Sequence, residues 1–276
     1  MTHFALHPAA AGGPCYLTAP LLSPLPHAFS TRQGGVSAPP FDSLNLAAGR
    51  GDPRSNIQEN FVRLCAGLGL PPERLVLSRQ SHSATVRIVT EADAGKGLWC
   101  PQDYHDVDAL ITNCPALPLV VFSADCGTLL LFDPVQNAVG AIHAGWRGCA
   151  AGIVEQTVQA MEREYGTNPA DLLAALGPCI QSCCFETDSD VPEAMTAALG
   201  ADAAPHLEHR GAKWHVDLAG LNRAWLLRSG LLPERIWNCG LCSACHPELF
   251  WSHRRMGEQR GAQAALIALP AREVAP

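Results

Sequence analysis

Cys126 and His143 stand at the two ends of one short stretch, which runs from Ser123 through Asp125 and Cys126 to His143, Gly145, Trp146, Arg147 and Gly148. Between them, the apolar runs Leu129 to Phe132 and Ala138 to Ile142 flank Asp133-Pro134-Val135-Gln136-Asn137, a segment rich in turn formers. A β-hairpin is therefore expected, and a turn centred near Val135 sets thiol and imidazole nearly opposite each other at its open end. Such a pair is a structural contact, a nucleophile with its base, or two ligands of one metal. The residues that follow favour a site. Gly145 and Gly148 let backbone approach a ligand, Trp146 offers an indole to stack on a flat ring, and Arg147 offers a guanidinium for an anion.

His82, in Arg79-Gln80-Ser81-His82-Ser83, falls in a polar break between two apolar runs and so projects at a sheet end, which makes it the candidate third ligand. Two histidines and one cysteine suit zinc and leave a fourth position open, the pattern of catalytic rather than structural sites. A metal with an open position makes hydroxide available near neutral pH. Cys239-x-x-Cys242-x-x-Cys245-His246 also has ligand spacing on paper, but it lacks a second Cys-x-x-Cys at the spacing of a zinc ribbon and the fourth cysteine of an iron–sulfur run, so free thiols are expected there. Cys179, Cys183 and Cys184 are expected to pack as small hydrophobes. Arg254 and Arg255, after Phe250-Trp251-Ser252-His253, read as a solvated pair or as an anion and ring site.

The elements that must position these residues follow from periodicity. Asn56 to Leu68 is a helix by the spacing of Ile57, Phe61, Leu64, Cys65 and Leu68. Arg74 to Val89 reads as two strands meeting at the bend that carries His82, and Leu117 to Phe122 as a strand feeding into Cys126. Further helices are expected at Cys149 to Tyr165, Val191 to Leu199 and Leu218 to Ser229, the last capped by Asp217. Strands are expected at Leu172 to Leu176 and Ala264 to Leu269. Without a regular βαβ rhythm, this mixture predicts an α+β fold, a single domain over 1–276 with mixed sheets flanked by helices.

Bulk properties limit the partners. The 276-residue chain is 47% hydrophobic and 16% charged, as a folded globular protein is, and its formal charge of −7 argues against nucleic acid. No apolar run approaches the ~20 residues of a membrane span, and the N-terminus lacks a basic start before an apolar core. A cytoplasmic location is expected, with most of the twelve cysteines reduced. Oligomeric state is left open.

The motifs Ser-Ala-Asp-Cys (123–126), His-Ala-Gly-Trp-Arg-Gly (143–148), Gly-Pro-Cys-Ile (177–180), His-Val-Asp-Leu (215–218) and Phe-Trp-Ser-His-Arg-Arg (250–255) resemble the laccase-domain, YfiH-like family of purine nucleoside phosphorylases. Ser30 to Ser37, Ser43 to Leu46 and Gln58 to Asn60 extend the resemblance over nearly the whole chain. It implies a cytoplasmic zinc enzyme that phosphorolyses adenosine, inosine, guanosine and methylthioadenosine and deaminates adenosine. The family's zinc ligands fall on His82, Cys126 and His143. In phosphorolysis Arg147, Arg32 and then Arg255 would hold phosphate, and in deamination Asp125 or Glu186 would shuttle a proton. Three rivals stand beside this reading. They are a cysteine hydrolase using Cys126 and His143, a polyphenol oxidase with copper as its metal, and a peptidoglycan-precursor editing or scaffold protein. The eleven histidines contain no His-x-His pair of the kind multicopper oxidation uses, which places the second rival low.

Overall fold

A computed structural model describes residues 4–7 and 13–271 of the chain. The first residues of the N-terminus read above, and both ends of the domain expected over 1–276, lie outside this range. The fold is α+β, with two six-stranded sheets and one three-stranded sheet. The first sheet has the order β1 (Ala5–His7), β2 (Tyr16–Thr18), β3 (His27–Ser30), β15 (Gln263–Ile267), β7 (Leu119–Ser123), β4 (Val76–Leu77). The second runs β14 (Ile236–Asn238), β10 (Leu173–Leu176), β8 (Gly127–Asp133), β9 (Ala138–Ala144), β6 (Ala109–Thr112), β5 (Val86–Ile88). The small sheet is β11 (Glu186–Thr187), β13 (Lys213–Val216), β12 (Leu207–Arg210). Pairing is mixed: β4 with β7, β5 with β6 and β10 with β14 are parallel, the remaining pairs antiparallel.

Period-two alternation sorts the side chains into layers. In β15, Ala265 and Ile267 join the core between the two large sheets, while Ala264 and Leu266 face α1 (Arg54–Leu68). In β8, Leu130 joins the core between the sheets, while Leu129 and Leu131 face the helices on the other side. Those helices are α2 (Trp146–Ala150), α3 (Ile153–Tyr165), α4 (Asp190–Leu199) and α5 (Leu218–Arg228), with α6 (His253–Met256) a single turn near the C-terminus. Helix α1 inserts Ile57, Phe61, Leu64 and Cys65, one face at helical spacing, and ends at Gly69 with φ 65°. Asp217 caps α5 by accepting the Gly220 N–H, as its type and position predict.

Two departures from the sequence expectations matter for the site. The helix expected over 149–165 is broken into α2 and α3 by Gly152, whose φ of 73° suits glycine and not its neighbours. The two strands expected to meet at His82 belong to different sheets, β4 to the first and β5 to the second. The polar break between them is a crossover from one sheet to the other. Residues 124–126 make a second crossover, between β7 and β8. No helix among the described residues is long and apolar enough to cross a membrane.

Candidate active site

The hairpin forms, with β8 and β9 paired from Gly127↔Ala144 to Asp133↔Ala138. Its register differs slightly from the sequence expectation: His143 faces Thr128, so Cys126 is its diagonal neighbour on the same side rather than its direct partner. A diagonal pair on one face still brings thiol and imidazole together. Gly145 then lies across from Cys126, and a Cβ there would sit 2.7 Å from Cys126 Sγ and 3.1 Å from His82 Cδ2. The cradle is open because that residue has no side chain.

His82 enters from the crossover. Its Nε2 lies 3.8 Å from Cys126 Sγ, and its ring meets that of His143 edge to face with centroids 5.0 Å apart. One ligand atom from each of His82, Cys126 and His143 falls within 4.8 Å of the others. His82 has a φ of 65°, an unusual conformation for a residue with a side chain.

Asp108 holds it there, and the sequence reading missed this residue. The fully buried carboxylate accepts the backbone N–H groups of Ser81, His82 and Ser83 at 3.0, 3.1 and 2.9 Å and the Ser83 hydroxyl at 2.8 Å. His143 Nδ1 lies 2.7 Å from the same carboxylate, which directs Nε2 toward the cleft. Burial alone would raise the Asp108 pKa, but the His143 and Ser81 hydrogen bonds outweigh it and hold it at about 2. A carboxylate directly before the apolar run Ala109 to Ile111 was the available signal.

The same balance acts on the pair above it. Burial opposes the Cys126 thiolate, yet the charge and hydrogen bonds of His143, then of His82, bring its pKa down to about 6. Burial likewise opposes the His143 imidazolium, and Cys126 with Asp108 raises it to about 9. Without an ion, the trio is a thiolate and imidazolium pair on a carboxylate anchor. A thiolate and two imidazoles on an open cleft are donors that suit zinc, and the empty Gly145 position leaves space beside them.

The trio forms the floor of a cleft with two lobes, both lined by His82, Cys126, Arg50 and Arg260. The second lobe adds Trp146, Arg147, Ile180, Phe185 and Arg254. Arg147 is exposed, stacks over Trp146 at 4.3 Å and has no hydrogen-bonded carboxylate, so its guanidinium is available. Arg260 is buried and its Nε has no hydrogen-bond partner; burial and the neighbouring Arg50 charge press its pKa down. An anion in the cleft would offset the repulsion between these two guanidinium groups. Arg50 and Arg260, each beside a glycine, were not singled out by sequence.

Other candidates are placed differently. Arg32 does not line the cleft. Its guanidinium donates to the carbonyls of Asp42 and Pro247 and stacks on Trp251 at 4.0 Å, beside a separate crevice with Gln33 and Glu248. Arg255 is exposed outside the cleft lining, and Arg254 takes the place expected of it, donating to the carbonyls of Cys184 and Glu186 at 2.9 Å. Asp125 lines the second lobe, but both its oxygens are engaged, one by the Ser243 hydroxyl and one by the Arg254 N–H, each at 2.6 Å. Those bonds hold the crossover at a φ of 91°. Glu186 is exposed on β11, with its carboxylate 3.8 Å from His215.

Comparison with known proteins places the chain in a family. A protein of Deinococcus radiodurans named purine nucleoside phosphorylase is 40% identical over 258 residues, covering 93% of this chain and 94% of that one. The purine nucleoside phosphorylase YlmD of Bacillus subtilis is 35% identical and covers 87% of each chain. The crystal structure of YlmD from Geobacillus stearothermophilus superposes with a TM-score of 0.89 at 31% identity, over 98% of this chain and 100% of that one. A family profile described as multi-copper polyphenol oxidoreductase laccase matches residues 26–270, a range that includes His82, Cys126 and His143 and the residues lining both cleft lobes, and the chain belongs to that family.

Proposed function

We propose that this protein is a zinc-dependent purine nucleoside phosphorylase acting on adenosine, inosine, guanosine and methylthioadenosine, with a second activity as an adenosine deaminase. The observation that carries this reading is the convergence of His82, Cys126 and His143, anchored by Asp108, beneath a cleft lined by Arg50, Arg147 and Arg260. The names of the relatives in Deinococcus and Bacillus support the same reaction class.

Zinc held by these three residues would supply a Lewis acid and, for deamination, an activated water. The chain's own groups do the rest. Arg147 and Arg260 bind and orient hydrogen phosphate so that an oxygen faces C1′ of the nucleoside; as the C1′–O bond forms, the C1′–N9 bond breaks and the purine leaves with the proton that the hydrogen phosphate gives up. Arginine suits this task because its planar fork makes two hydrogen bonds to one phosphate. Ile180, Phe185 and Trp146 give the second lobe the apolar and aromatic surface on which a purine ring is held away from water. Asp108 keeps Nδ1 of His143 protonated, so that Nε2 is the free donor atom. Asp125 steadies Arg254 and the approach to Cys126 in this scheme, instead of the proton transfer the sequence suggested.

Incubation of the protein with adenosine, with and without phosphate, tests the reading. Adenine that appears only with phosphate establishes phosphorolysis, and inosine in either condition establishes deamination. Neither product would refute both activities. One specific observation favours a second reading: the depressed Cys126 pKa and its imidazolium neighbour are also what a nucleophilic thiol requires. A covalent adduct on Cys126 during turnover would replace the metal reading with that one.

A further inference from the structure

We propose that Cys183, Cys184, Cys242 and Cys245 form a second metal site, a tetrathiolate centre for a structural zinc ion. The four sulfurs lie within 4.8 Å of one another. Cys245 Sγ is 3.5 Å from Cys183 Sγ and 3.4 Å from Cys184 Sγ at the same time. A disulfide joins one pair at about 2.0 Å and leaves the other thiols over. A tetrahedral ion with Zn–S bonds of about 2.3 Å instead needs every pair of sulfurs about 3.8 Å apart, which is close to what the chain presents.

The backbone is arranged for it. Cys179 and Cys242 form an isolated parallel bridge in which the Cys179 N–H donates to the Leu241 carbonyl and the Ser243 N–H to the Cys179 carbonyl. That bridge brings the two cysteine-bearing loops together, and the turn closed by the Cys184 and Phe185 N–H groups on the Gln181 carbonyl presents Cys183 and Cys184. Cys183 and Cys245 are exposed, which gives an ion a path of entry, and no fourth-position gap is left for substrate. The ligand set that looked incomplete in Cys239, Cys242 and Cys245 is completed from a loop 58 residues earlier, at Cys184 and its neighbour, while Cys239 is buried elsewhere.

The centre would fasten the wall of the cleft from behind. Ser243, between two of its ligands, holds Asp125, and the carbonyl of its ligand Cys184 accepts from Arg254.

The test does not depend on the proposed activity. The Cys126→Ser chain, expressed with zinc and reductant and dialysed against a weak chelator, is examined by elemental analysis and by X-ray absorption at the zinc edge. The proposal expects one equivalent of zinc with four sulfur neighbours at about 2.3 Å and no nitrogen, lost when Cys245→Ser is added. No retained zinc overturns it. So does zinc in a shell that contains nitrogen, iron in place of zinc, or a Cys183–Cys245 disulfide found by peptide mapping under these reducing conditions. Because the absorption spectrum is taken on a chain with all four cysteines intact, a Cys245→Ser chain that fails to fold does not shelter the proposal.

Discussion

Asp108 and His143 are joined through a 2.7 Å contact between carboxylate and Nδ1, and the same carboxylate holds three successive backbone N–H groups around His82. One buried group therefore orients two of the three metal-competent side chains. Asp108→Asn keeps the shape but replaces an acceptor oxygen by a donor, and it is expected to lower zinc affinity about 10- to 100-fold. Competition with a chromophoric chelator measures this. Unchanged affinity would mean that the trio is positioned without it.

Gly145→Ala is expected to weaken metal binding while leaving the backbone undisturbed. Gly145 has φ −64° and ψ 171°, which alanine adopts freely, so the effect comes from the new methyl group against Cys126 Sγ. Overpacking of about 1–3 kcal/mol corresponds to roughly a five- to 150-fold loss of affinity. A melting temperature close to the parent's, alongside reduced zinc, is the expected pattern.

In the metal-stripped chain, Cys126 should react as a thiolate at neutral pH. Its pKa is lowered from 9.0 to about 6, so alkylation, followed at the Cys126 peptide by mass spectrometry, rises through pH 6 and is near its plateau at pH 7. A midpoint above pH 8 would show that His143 and His82 do not stabilise the anion.

Arg147→Lys is expected to damage phosphorolysis more than deamination. The substitution keeps the charge but loses the paired hydrogen bonds, worth about 1.5–3 kcal/mol, or roughly ten- to a hundredfold in rate. Initial rates of adenine and inosine formation from adenosine separate the two effects. Arg32→Lys, whose parent residue faces another crevice, should leave the ratio of the two rates unchanged.

Asp93 gives a pH-dependent stability prediction away from the cleft. Burial opposes its ionisation, but hydrogen bonds from Lys96, the Thr90 backbone and Arg87 hold its pKa at about 2. The folded value lies below the unfolded value of about 3.9, so the stabilisation is present above pH ~4 and is lost as pH falls toward 2. Asp93→Asn should cost about 2 kcal/mol in urea unfolding at pH 7, with the difference from the parent shrinking steadily below pH 4.

Local signals were readable in the chain and long-range ones were not. The trio was legible because Cys126 and His143 share a hairpin and His82 lies in a polar break, features set within a few residues. Asp108 was missed because its five hydrogen bonds come from Ser81, His82, Ser83 and His143, none adjacent in sequence. Arg32 and Arg147 look alike in a one-dimensional reading, each in a glycine-rich loop, and only tertiary pairing shows that Asp42 and Pro247 satisfy the first while the second stays free. The hairpin itself was legible, but its register was not: the position of the turn within residues 133–138 decides which residue His143 faces. The thiol cluster was hidden for the same reason, since the bridge between Cys179 and Cys242 spans the sequence between the two loops.

Two of the trio's side chains lie on stretches where the chain passes from one large sheet to the other, His82 between β4 and β5 and Cys126 between β7 and β8, while His143 belongs to the second sheet. An ion bound there would tie the seam of the sandwich as well as serve chemistry. Its binding energy would oppose any parting of the sheets at that mouth. Amide hydrogens of β4 and β7 should therefore exchange more slowly in the zinc-loaded protein than in the stripped one, while those of the distant β1 and β2 should exchange alike in both.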